Sequence, residues 1–360
     1  MKQRIVIFAV LALCAFTSPA QAGLLARWFG APDRLVAINC KLKGRVLDYT
    51  FNHGTDNRIY SPALDEKRDM YVYLPPGYDP RLAYPLMFLL HGIGLDESSF
   101  LGGVDLIDDA MACGNLTPTI VVAPDGSLRG KPTMLNGGSF WVNSRAGRFE
   151  DYVMQDVWCF MHTHFAIRPE RDAHVMTGAS MGGFGAYNLS IKYRDRIGVV
   201  AGIFPPLNLR YLDCRGRYFS AFDPNCLGWR TKYQPFRPVA RYAHGLITIR
   251  ERRLIAPLYG RDRHAMDRIA LENPVEMLDL YSVKPGELQM FVAYVGRDAF
   301  NIEPQVDSFL YIARSKGFTV STVFDPEGRH NMVSGRKLLP SLLAWLAPRL
   351  EPYPPVFLDH

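Results

Sequence analysis

The stretch VMTGASMGGFGAY, Val175 to Tyr187, sets Ser180 between glycines and runs on through Gly182, Gly183, Gly185 and Ala186. Such a run is either a small-residue turn chosen for close packing or a mount for a reactive serine, and its flanks decide between the two. Residues 174–177 read as a buried strand and residues 183–192 as a helix. Gly178-Ala179-Ser180-Met181-Gly182 therefore sits on a strand-to-helix turn, where a strained backbone holds a serine hydroxyl out as a nucleophile. Glycines flank it because the turn leaves no room for side chains.

A serine hydroxyl attacks poorly near neutral pH unless a base lies within hydrogen-bond reach and an acid orients that base. On this kind of turn the partners follow the serine in the order acid, then histidine. The histidines after Ser180 are His244, His264, His330 and His360. His330 stands in the loop Asp325-Pro326-Glu327-Gly328-Arg329-His330, past the last strand and before a closing helix, and is the expected base. Asp298 closes the preceding strand in Tyr294-Val295-Gly296-Arg297-Asp298 and is the expected acid, with Asp325 as its competitor. The oxyanion needs preset donors. These are the backbone amide of Met181, directly after the nucleophile, and that of Ile93 in His91-Gly92-Ile93-Gly94. His91 itself is expected to buttress its loop, and Asp156, on the apolar face of a helix, to hold a neighbouring backbone segment.

The rest of the chain supplies a frame for that turn. Residues 68–74 alternate polar and apolar side chains, and residues 84–90, 119–123, 288–295 and 318–324 are apolar runs of the kind found in strands buried on both faces. Helical patterns at residues 148–164 and 338–346 fall between and after them, so the expectation is an α/β chain with a mostly parallel sheet and helices on both faces.

The chain has 360 residues, 48% of them apolar, enough for a large core. Residues 1–22 read as an export signal: Lys2 and Arg4, an apolar run from Ile5 to Phe16, then Pro19 and Ala20-Gln21-Ala22 before cleavage. The run is too short for the roughly 20 residues that span a bilayer, and Cys14 is preceded by Leu13 rather than a small residue, against a lipid anchor. The expected product is periplasmic or secreted, with no stable membrane insertion after cleavage. It carries a net charge of +4, too mild to imply a nucleic-acid partner. Its five cysteines, Cys40, Cys113, Cys159, Cys214 and Cys226, match no zinc spacing, so neither metal nor cofactor is expected, and Cys214 with Cys226 is the favoured bridge. Residues 206–272 depart from the βα rhythm. They hold twelve arginines and one lysine against six acids, and read as a cap-like insertion in a hydrolase domain of residues 35–360, either a solvated basic face or a surface that steers anions.

Several of these segments resemble the esterase D-like branch of the α/β-hydrolases, which includes feruloyl and acetylxylan esterases, S-formylglutathione hydrolases and mycolyltransferases. DMYVYLPPGY resembles the family's opening strand and turn, YPLMFLLHGIG its oxyanion strand and loop, GSFWVNS the segment before the elbow, and GASMGGFGA the elbow itself. The likeness covers residues 44–205 and 272–350 and stops between Pro206 and Leu271. It implies the α/β-hydrolase fold, Ser180, Asp298 and His330 as a catalytic triad, and a small-molecule or polysaccharide-linked ester as substrate. Acyl transfer by the same triad and an inactive envelope-binding role are the alternatives.

Overall fold

The computed structural model describes residues 34–133, 137–242 and 247–357. The expected export signal at residues 1–22 lies outside them, as do His244 and His360. One eight-stranded sheet organises the chain: β1 (Arg45–Tyr49), β2 (Met70–Leu74), β3 (Leu86–Leu90), β4 (Ile120–Pro124), β5 (His174–Ala179), β6 (Val199–Ile203), β7 (Gln289–Arg297) and β8 (Val320–Arg329). Their spatial order is β1-β2-β4-β3-β5-β6-β7-β8. The strands from β4 to β8 run parallel, whereas β2 is antiparallel to both β1 and β4. This is the α/β-hydrolase fold.

Flanking helices are α1 (Val104–Ala112), α2, α3 (Met181–Lys192), α4 (Ile302–Ser315) and α5 (Met332–Leu350). The helix α2 is built from Phe149–Asp151, a π-helical Tyr152–Val157 and Trp158–His164. On one face of the sheet α5 packs against α1. On the other, Phe88 of β3 stacks on Trp158 of α2, Lys192 of α3 is 2.5 Å from Glu150 of α2, and Tyr187 of α3 meets Phe309 of α4. The central strands read as continuous apolar runs because both faces are covered, and β4 is buried at every position.

The sequence expectations miss two strands, β1 and β6. β1 is a mixed edge segment with one buried residue, Val46, so it carries little apolar signal. β6 is wholly buried and did leave one, the run Val199-Val200-Ala201-Gly202-Ile203. The closing helix begins at Met332, earlier than expected, because its first turn is capped by the side chain of Asn331, which accepts from the Ser334 amide.

The arginine-rich segment forms two small hairpins, Tyr211–Asp213 with Leu227–Trp229 and Pro238–Tyr242 with Ile247–Arg250, followed by short helices. Cys214 and Cys226 are bonded beside the first hairpin. Arg210, Arg217 and Arg268 each lie 2.7 Å from a carboxylate, of Glu276, Asp213 and Asp262 respectively. Part of the basic charge is thus held in internal pairs. The segment is tied to the turn after β7: Tyr218 donates to the Phe300 carbonyl at 2.7 Å and the Arg241 amide to the Ala299 carbonyl at 2.8 Å.

Candidate active site

The turn between β5 and α3 puts Ser180 at φ 57°, ψ −120°, in the left-handed half of the map where a non-glycine residue is strained by about 1–3 kcal/mol. Its amide donates to the Ile203 carbonyl at 2.7 Å, and its carbonyl accepts from the Phe184 amide at 3.0 Å. A Cβ on Gly182 would overlap the Leu90 carbonyl, and one on Gly178 would come within 2.5 Å of Gly182. Side chains at these two positions would push the elbow off the sheet.

The carboxyl ends of neighbouring strands bring the other groups to the serine. Asp298 follows β7 and His330 follows β8. His330 Nε2 lies 2.8 Å from Ser180 Oγ, and His330 Nδ1 lies 2.8 Å from Asp298 Oδ2. The other carboxylate oxygen of Asp298 accepts from the Phe300 amide at 2.7 Å, and the side chain is only 1% exposed. The His330 ring lies against Phe204 and Phe300, with centroids 5.0 and 4.9 Å away. Asp325 does not reach the histidine: it pairs with Lys337 at 2.7 Å and accepts from the amides of Glu327 and Gly328. His264 is remote in chemistry as well as sequence, exposed and 3.1 Å from Asp267.

Met181 is the first residue of α3, where a backbone N–H has no intrahelical acceptor. Ile93 lies beside it: a Cβ on Gly138 would come 3.1 Å from Ile93 and would overlap the Met181 sulfur. The loop that carries Ile93 is braced from behind. His91 is 3% exposed, its Nε2 accepts from the Gly126 amide at 2.8 Å, and its Nδ1 is left to donate to the Gly92 carbonyl at 2.8 Å. Asp125, 2.9 Å from the buried guanidinium of Arg68, fixes the same turn, because Arg68 also donates to the Asp125 and Ser127 carbonyls. Burial pushes the Asp125 carboxyl up, but the Arg68 guanidinium and the Ser127 amide that donates to it favour the carboxylate and hold the group below its ordinary range. Glu97 nearby goes the other way: burial, then the charge of Asp125, raises it well above the usual carboxylate range. Asp156 is half-buried rather than enclosed, and accepts from the Ser61 hydroxyl and the Ala63 amide, so it holds a loop.

Residues that sequence reasoning overlooked shape the rest. Trp141, fully buried, packs its indole against Gly126 and Gly185, where any Cβ would collide with the ring, and donates to the His91 carbonyl at 3.3 Å. Gly185 of α3 and Gly126 after β4 thus match a tryptophan from a separate segment of the chain. Phe204 and Phe300 had no periodic signal, since each lies in an irregular turn just past a strand. Tyr242 and Phe300 line the cavity at the serine, and burial, with the charge of Asp298 second, pushes the Tyr242 hydroxyl up to about 12. A second, smaller cavity of about 50 Å³ touches Ser180, Ile93 and Met181 and is roofed by Arg230, Leu254 and Ile255 of the arginine-rich segment. Among the described residues no cluster of histidines, cysteines and carboxylates has the make-up of a metal site.

Residues 61–264 match the family described as "Putative esterase". The chain belongs to this esterase family. The match runs into the arginine-rich segment, where the motif resemblance has its gap between Pro206 and Leu271. An esterase of Mycobacterium tuberculosis is 25% identical over 306 residues, 82% of this chain and 59% of the relative. Endo-1,4-beta-xylanase Y of Acetivibrio thermocellus is 27% identical over 195 residues, 50% of this chain and 16% of the relative. The chain therefore spans less than two thirds of either curated relative. Among solved structures a ferulic acid esterase superposes with a TM-score of 0.61 at 15% identity, covering 86% of this chain and 99% of that one. At that identity the likeness is one of fold.

Proposed function

We propose that this esterase-family protein is an exported serine hydrolase of carboxylic esters. Ser180 attacks the ester carbonyl, His330 takes its proton and returns it to the leaving alcohol, and Asp298 keeps the His330 proton on Nδ1 and stabilises the imidazolium. The amides of Met181 and Ile93 receive the oxyanion. Water, activated by His330 in the same way, then releases the acid from the acyl-enzyme.

The observation that carries the reading is the pair of 2.8 Å contacts joining Ser180, His330 and Asp298 at the mouth of a cavity. A serine kept in a strained conformation and matched to a histidine and a buried acid is costly to maintain for packing alone. Export rests on the charged start, apolar run and small-residue site of residues 1–22. Among the described residues no helix is long and apolar enough to cross a membrane.

The test is hydrolysis of p-nitrophenyl acetate and butyrate by the wild type and by Ser180→Ala, with labelling by a fluorophosphonate. Loss of both turnover and labelling in the variant is expected; equal rates would sink the reading.

A further inference from the structure

The cavity at the nucleophile does not end there. It measures about 270 Å³ and extends from Ser180 and His330 into the space between β3, β5, α1 and α5. Period-two alternation along the strands aims Met87 and Leu89 of β3 at this space, with Thr177 and Ala179 of β5 beside them. Leu89 stands in the middle of the sheet and still keeps accessible surface, because it faces a void instead of packed side chains. The inner end is closed by Ile107 of α1 and by Leu342 and Leu343 of α5, all at most 5% exposed. Arg336 at the outer rim is turned away, its guanidinium held by Asp105 and the Gly102 carbonyl.

We propose that this cavity is an acyl pocket for unbranched alkyl chains of medium length, which makes the protein an esterase for lipid-like acyl groups. The inference rests on the hydrolase reading of Ser180. A blind, apolar recess suits the part of the substrate that stays on the enzyme, since the leaving alcohol must depart past His330 to water. Its walls are mostly aliphatic, with Ser99 and Thr177 the hydroxyl side chains along the recess beyond Ser180 and Tyr242, so a phenolic or carbohydrate group would leave most of its polar atoms without a partner, whereas an alkyl chain leaves none. Scaling from an apolar cavity of roughly 150 Å³ that takes up benzene, this one has room for about ten carbons.

The experiment is a series of p-nitrophenyl esters from acetate to dodecanoate, with a matched series of alkyl acetates and with methyl ferulate. Burying a methylene in an apolar site is equivalent to about a fourfold change in an equilibrium or rate ratio. The expected result is kcat/KM rising by up to that factor per added acyl methylene to a maximum near octanoate or decanoate, while lengthening the alcohol has little effect. Leu339→Trp, or the milder Leu339→Phe, narrows the recess and should move the maximum to shorter acyl chains; fluorophosphonate labelling reports that either variant has folded. A maximum at acetate, a preference for methyl ferulate, or a profile unmoved by a folded Leu339 variant overturns the acyl pocket and leaves the hydrolase reading standing. Absence of Ser180-dependent turnover on every ester removes the hydrolase reading, and the pocket assignment with it.

Discussion

Replacing Asp298 by asparagine isolates what the buried acid does for His330. Asparagine has nearly the same volume, so packing is preserved. The Phe300 amide can only donate, and it lies 2.7 Å from one carboxylate oxygen, so the asparagine oxygen must stay there. The new NH2 group then faces His330 Nδ1, which sits 2.8 Å from the other oxygen. Two donors cannot meet, so Nδ1 gives up its proton and becomes the acceptor. The ring proton moves to Nε2, 2.8 Å from Ser180 Oγ, and that nitrogen can no longer accept from the serine. The variant thus holds the right atoms in the wrong tautomer. The loss expected for this error is on the order of 10⁴ in kcat, about 5 kcal/mol on the barrier. The assay is steady-state hydrolysis of p-nitrophenyl butyrate, with a thermal melt to establish that Asp298→Asn folds. A kcat within tenfold of wild type in a folded Asp298→Asn protein would refute the assignment of Asp298 as the group that sets the tautomer.

Two further perturbations address the support beneath the site. Glu97 is raised by burial and by the charge of Asp125, so its folded pKa exceeds the unfolded value of about 4.3. Its contribution to stability is therefore present below that value and lost as pH rises through the folded pKa. Glu97→Gln keeps an oxygen for Asn52 Nδ2, 2.6 Å away, and does not ionise, so its advantage over wild type in urea midpoint should widen from pH 4 to pH 9; a constant gap would contradict the account. Arg68→Met strips the buried Asp125 of its counter-charge, and unfolding free energy should fall by about 3–5 kcal/mol. Because Arg68 also holds the turn that braces His91, kcat should drop as well, and Arg68→Met with Asp125→Leu should recover stability that Arg68→Met alone loses; a surface-like effect below about 1 kcal/mol would show the pair to be dispensable.

The elbow was legible in the sequence because its requirements are local. A tight turn between a strand and a helix dictates glycines within two residues of Ser180, and the order of acid and histidine follows from the order of the strands that carry them. Asp298 and His330 could be proposed on that ground, each being a polar residue just past an apolar run. The fit of Trp141 between Gly126 and Gly185 was not legible, because nothing in any one segment records which distant side chain fills the space a glycine leaves. β6 was overlooked despite its apolar run, and β1 because an edge strand with one buried residue has almost no periodic signature.

What the sequence determined by itself is the fold class and which residues are candidates for the chemistry, since both come from short-range patterns of glycine, apolar runs and polar residues at strand ends. Only the tertiary structure decided that His330 pairs with Asp298 rather than Asp325, that His264 stays apart, and that an apolar recess runs inward from Ser180 between α1 and α5. Distances of 2.8 Å and a void of about 270 Å³ are set by how the sheet twists and how two helices pack across it. Those are sums over many weak contacts among residues far apart in the chain, and no local pattern encodes them.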